Sequence, residues 1–208
     1  PIVIGKGFFN NEIGTDFDSN EIGDNFFNNE IGNTFQNNVI IDNFFDNEIG
    51  NYFQNNEIGN GFENNEIGNY FQNNVIIDDF NSNSIGNNFG MNGIGNYFSN
   101  NSIGNGFSSN SIGNDFNSNS IGNDFGSNSI GNDFNSNSIG NGFNGNTIAD
   151  YFQLNNVKAP VSSIDFTSNP ATYVYAKYNC DIFSRSDFDL RLSYYDNLDA
   201  LNIDDIDN

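Results

Sequence analysis

Large apolar residues fall on a strict nine-residue period along most of this chain. Ile recurs at every ninth position from Ile4 to Ile148, and Phe does the same from Phe8 to Phe152, with no insertion or deletion in either series. Asn stands two residues before each Ile from Asn11 through Asn146, so the unit is N-x-I-G-N-x-F-x-x. A helix accommodates this pattern poorly. Nine residues drift against 3.6 per turn, and one Gly per unit costs a helix about 1 kcal/mol. In extended backbone, residues two apart share a face. The arms N-x-I and N-x-F are therefore expected to point Asn and its apolar partner inward and the middle residue outward. Gly, or the x-x pair, is then expected to supply the corner.

A second period lies beneath the first. Asp24-Asn25-Phe26-Phe27 returns as Asp42-Asn43-Phe44-Phe45, and Gln36, Gln54 and Gln72 follow the same eighteen-residue spacing, as do Tyr52 and Tyr70. Alternate units resemble each other more than neighbours do. The expected fold is all-β: a β-solenoid, or β-helix, with two units in each coil of about 18 residues and equivalent positions stacked vertically. Ile49, Phe53, Ile58, Phe62, Ile67 and Phe71 exemplify the inward core ladder. Asn47, Asn56, Asn65 and Asn74 exemplify the Asn ladder that holds the layers in register. With coils about 4.8 Å apart, the rod is about 40 Å long.

The repeat ends at Phe152, which divides the chain into a solenoid, 1–152, and a C-terminal module, 153–208. Lys158, Lys177, Arg185 and Arg191 all lie in that second part, leaving only Lys6 in the first. Apolar alternation predicts short strands at Ser163–Thr167, Thr172–Tyr178, Leu190–Tyr195 and Ala200–Ile206, with Pro160, Pro170 and Asn-Asp steps at the turns. The reading is a small antiparallel β module that covers the last coil or assembles with copies of itself. The chain opens PIVIGKGFF with the repeat already in phase, which suggests a piece of something longer.

Composition narrows the function. The formal net charge is −22, which opposes binding to nucleic-acid phosphates and to anionic membranes. There is no apolar run long enough for membrane insertion. His and Trp are absent, and the single cysteine, Cys180, excludes an intrachain disulfide and a Cys-based zinc site. Nothing calls for a cofactor, and no residues form a catalytic constellation. Asp115, Asp124 and Asp133 share one repeat position, with Asp115 and Asp133 expected to stack; they are candidate cation ligands, although a solvated acidic face that keeps the rod soluble is the preferred reading. The unit lacks the G-G-x-G-x-D pattern of calcium-binding nonapeptides. Glu12, Glu30, Glu48 and Glu66 form another acidic column. Two V-I-I-D stretches place Val39, Ile41, Val75 and Ile77 where Glu and Gly usually stand, two coils apart on one side of the rod. With the exposed aromatics Tyr52, Tyr70 and Tyr97, they form the candidate contact patch.

The N-x-I-G-N-x-F repeat, followed by ATYVYAKYNCDIFSRSDFDLRLSYYDNLDALNIDDI, resembles tail and virion proteins of bacteriophages and prophages of Bacteroidota. That resemblance implies a virion-associated fibre or spike part, a homo-oligomer and often a trimer, with a β-rich C-terminal cap and no catalytic residues. Its surroundings would be the virion or an extracellular surface, its partners other virion or surface proteins and a possible glycan receptor. The function expected is structural: the shaft and cap of a phage tail fibre or related appendage. A bacterial adhesin or secreted filament subunit, a glycan-degrading solenoid enzyme and an acidic DNA mimic are the alternatives.

Overall fold

The computed structural model describes residues 2–149 and the segments 152–153, 155–158, 161–166, 173–179 and 189–195. From Val3 to Ile139 every regular element is a strand of two residues. A strand this short is unstable alone, and each one pairs in parallel with its equivalent eighteen residues away. Ile4 lies against Ile22, Phe8 against Phe26, Ile13 against Ile31 and Phe17 against Phe35. Each coil thus has four walls, and the chain climbs one coil every eighteen residues, as the double period predicts. The first wall begins with Val3–Ile4, the second with Phe8–Phe9, the third with Glu12–Ile13 and the fourth with Phe17–Asp18. The second wall stacks nine strands, up to Phe152–Gln153. Phe143–Ile148 is the exception: it runs unbroken across a corner and joins the fourth wall to the first.

The corners differ from the sequence expectation in two respects. First, the extended pieces are x-I and F-x rather than N-x-I and N-x-F. The residue before each Phe and the second residue after it have left-handed backbone, as at Asn43, Tyr52, Asp46 and Asn55. Asn, Asp, Ser and Gly fill most of these sites, as expected for residues that tolerate positive φ. The Asn two before Phe consequently falls at an outer corner, where Asn33 and Asn60 are exposed and Asn51 is half-buried. Second, the Gly after each Ile is not the turning residue, because its φ is not positive. From Gly23 onwards its role is close approach to the coil below. A Cβ at Gly68 would lie 2.8 Å from Asn51 Oδ1 and 2.9 Å from the carbonyl oxygen of Gly50 in the coil below.

Inside, the two Phe walls face each other. Along a wall the rings stack nearly parallel, as between Phe71 and Phe89, with centroids 4.8 Å apart. Across the core they meet edge to face, as between Phe80 and Phe89 at 5.7 Å and 73°. Both arrangements are favourable for the ring quadrupole. The inward Phe rings from Phe26 to Phe134 are fully buried, and Ile fills the space beside them.

Between the walls run the Asn ladders. Asn65 donates its backbone N–H and its Nδ2 to Oδ1 of Asn83, and Nδ2 also donates to the carbonyl of Phe44. Every inner Asn from Asn29 to Asn137 repeats this, so both protons and both lone pairs of the buried amide are used. The outer Asn residues form a second ladder of opposite direction. Asn51 donates to Oδ1 of Asn33, Asn69 to Asn51 and Asn87 to Asn69. Inner amides donate towards the C-terminal coils and outer amides towards the N-terminal ones, so their dipoles oppose.

The parallel register does not stop at Phe152. Asn155 and Val157 are buried and continue the columns of Asn137 and Ile139. Val161–Phe166 lies parallel to Phe143–Ile148, with Phe143 opposite Val161 and Ile148 opposite Phe166. The described strands beyond are Tyr173–Asn179 and Asp189–Tyr195. Ala200–Ile206 and Cys180 lie outside the described residues.

Candidate interaction surfaces

With Ile, Phe and one Asn turned inward, recognition falls to the outward columns. These change character along the rod. Up to Val75 they carry Glu, Gln, Val and Phe, whereas above Asn81 they are mostly Ser, Asn and Gly. Between Asn81 and Ala149 the only acidic residues are Asp115, Asp124 and Asp133.

The structure separates the three Asp residues. Asp115 and Asp133 are neighbours at the corner leading into the second wall, because Phe116 pairs with Phe134. Asp124 precedes Phe125 and belongs to the opposite corner, leading into the fourth wall. Partial burial pushes the Asp133 carboxyl above its ordinary pKa, and the charge of Asp115 pushes it further. Two stacked carboxylates of this kind repel each other. Among the described residues, no three His, Cys, Asp or Glu side chains converge as a metal ligand set. Near the base, Lys6 reaches Asp24 in the next coil at 2.6 Å.

The aromatic members of the patch also divide. Tyr52 and Tyr70 lie at the corner between the third and fourth walls and stack on each other, with centroids 5.0 Å apart and planes within 7°. The face each ring turns to the other is covered by the stacking, while both residues remain exposed at the corner. Tyr97 is at the diagonally opposite corner, between the first and second walls, 53% exposed. Its column neighbours are Asp79 below and Asp115 above. All three Tyr residues have φ of 65 to 67°, a region that bulky side chains avoid. Stacking compensates Tyr52 and Tyr70. Nothing equivalent supports Tyr97.

The V-I-I-D stretches are brought onto the first wall, two coils apart, as expected. Val39 and Ile41 project outward on either side of buried Ile40, and Val75 and Ile77 on either side of buried Ile76. Ile41 and Ile77 occupy the corner position held by Gly in most other coils, and the corner is rebuilt around them. A Cβ on Gly59 would overlap the carbonyl oxygen of Ile41, and one on Gly95 that of Ile77. The neighbouring Asp takes over from Asn at the foot of the outer ladder. Asp42 accepts the backbone N–H of Asn60, and Asp78 that of Asn96 at 2.6 Å.

One feature escaped the sequence reading. Phe9, Phe27 and Phe45 stack outside the second wall, with centroids 4.8 to 4.9 Å apart. The doubled Phe at eighteen-residue spacing was the available signal, since two consecutive residues of a strand cannot both point inward. No family model, curated protein or solved structure matches the chain.

Proposed function

We propose that the chain is a rigid shaft of a virion fibre or related extracellular appendage, with the part beyond residue 166 as its cap and assembly module. The observation that carries this reading is the uninterrupted stacking of equivalent groups through the rod: backbone, Phe rings and buried Asn amides are each bonded to the coil above and below. Every layer is therefore tied to its neighbours by short-range bonds spread over the cross-section, which suits a part that transmits load or spans distance. The surface columns offer repetition rather than a cleft, so contact with other virion or surface proteins, or with a glycan, is multivalent and weak at each point.

For the cap, the support is the antiparallel pairing of Tyr173–Asn179 with Asp189–Tyr195, with Tyr173 opposite Tyr195 and Asn179 opposite Asp189. Reversing strand direction ends the parallel stack, and an antiparallel cap shields the edge that would otherwise template further strands. The chain is accordingly expected to be a homo-oligomer, with a trimer favoured. Light scattering on the full chain and on a chain lacking residues 167–208 tests this assembly role. Loss of the oligomer supports it, and an unchanged oligomer mass removes it. Antibody labelling of phage particles against labelling of bacterial cells tests the location, and label on cells alone favours a bacterial surface filament built on the same rod.

A further inference from the structure

The first wall carries two exposed apolar bars, and their spacing and charge select a partner. Val39 and Ile41 form one, Val75 and Ile77 the other, each 43 to 55% exposed. The intervening coil drops to Gly59 with the exposed carboxylate of Glu57 beside it, and Glu21 lies one coil below the first bar. Asp42 and Asp78 stand at the corner next to each bar. Tyr97 stands at the same edge of the wall, one coil higher.

The bars are two coils apart, about 9.6 Å along the axis at about 4.8 Å per coil. An α-helix laid along the axis presents residues i and i+7 on one face about 10.5 Å apart. A strand presents same-face residues about 7 or 13 Å apart and misses one bar. A helix therefore rests on both bars, and its residues at i+3 and i+4 cross the trough beside Glu57. Lys or Arg there is complementary, whereas a second copy of this wall would bring Glu21, Glu57, Asp42 and Asp78 against like charges, on a chain of formal net charge −22. We propose that the first wall between Val39 and Asp78 is a docking surface for a cationic amphipathic helix of a partner protein, with apolar residues seven apart on the two bars and Lys or Arg between them over Glu57. The proposal deepens the contact role of the shaft and rests on that reading for its purpose.

The test uses the full chain and a fluorescein-labelled synthetic helical peptide with Leu at i and i+7 and Lys between, read by fluorescence anisotropy. Two comparison peptides carry Glu in place of Lys, or Leu five residues apart. Binding of the first peptide alone is expected. It should weaken about tenfold in Ile41→Ser/Ile77→Ser, which corresponds to about 1.4 kcal/mol for the two lost anchors together. Glu57→Lys, a change at a fully outward residue, should weaken it similarly and independently of the apolar bars. Equal binding of the peptide with Leu five residues apart, or equal binding by the Ser variant, reduces the effect to general charge attraction and overturns the proposal, and equal binding of the Glu peptide removes the charge selection and overturns it as well. So does absence of binding at low salt, or self-association of the parent chain that Ile77→Ser disperses. The peptide outcomes leave the shaft reading untouched, since it stands or falls on the labelling and on the oligomer mass of the chain lacking residues 167–208.

Discussion

Gly59 and Gly93 both lie on the first wall, two coils apart, yet they answer to different constraints. At Gly59 a Cβ would collide with the Ile41 carbonyl, while at Gly93 nothing lies within 4 Å. Gly59→Ala and Gly95→Ala should each cost about 2 to 3 kcal/mol, because the obstacle is backbone held in two ladders. Gly93→Ala should be neutral or gain about 0.5 kcal/mol, since its φ suits an L-residue and the unfolded chain loses freedom. Chemical denaturation of the three variants checks the contrast, and equal losses would refute the close-approach explanation. Asp133 offers a second residue-scale prediction. Its folded pKa lies above its unfolded value, so its charge opposes folding above that range, and acidification through the window between the two values relieves the penalty. Asp133→Asn should therefore stabilise the chain at neutral pH by about 0.2 to 0.5 kcal/mol, less at high salt. The advantage should vanish below the ordinary carboxylate range, and Asn is also comfortable at this positive φ.

At the scale of the element, the two-residue strand is the unit, and the amide ladder makes it cooperative. Asn83→Ala strands the backbone N–H of Asn65, one proton of its Nδ2, and the carbonyl of Phe62 in the interior. That should cost about 3 to 5 kcal/mol. Asn11→Ala at the half-buried base should cost less than about 1 kcal/mol, because solvent can replace the lost partners. Thermal unfolding of both variants decides, and similar shifts would mean that the ladder is not what holds the layers. The inner ladder was legible because Asn recurs without exception two before Ile. The outer one was misjudged, since an Asn two before Phe looks equally inward until the left-handed residue between them turns the chain. That residue is Asn, Asp, Tyr, Thr or Gly in different coils, so no single letter marked it.

Across the whole molecule, charge is unevenly spread while the core is uniform. Acidic residues crowd the coils from Glu12 to Asp79, and Ser and Asn dominate the walls above. Stacked like charges about 4.8 Å apart repel. Raising the salt concentration should therefore slow amide exchange in the lower coils more than in those between Asn81 and Ala149. Hydrogen exchange followed by mass spectrometry reads this directly, and uniform slowing would show that the acidic columns exert no strain on the rod.

The sequence by itself determined the solenoid, its eighteen-residue coil, its four-walled section, the inward Ile and Phe, and the placement of both V-I-I-D bars on one wall. It could do so because stacking forces equivalent residues into equivalent environments, and a repeat records that environment once per coil. What only the tertiary structure decided are relations between coils and around corners. These include the left-handed residues that turn the Asn two before Phe outward, the opposite direction of the two amide ladders, and the close approach that selects Gly after Ile. The nine-residue period treats the two halves of a coil as equal, and the letter Gly reads as flexibility. Three dimensions show the halves on opposite sides of the rod, and the glycine as room for the backbone of the coil below.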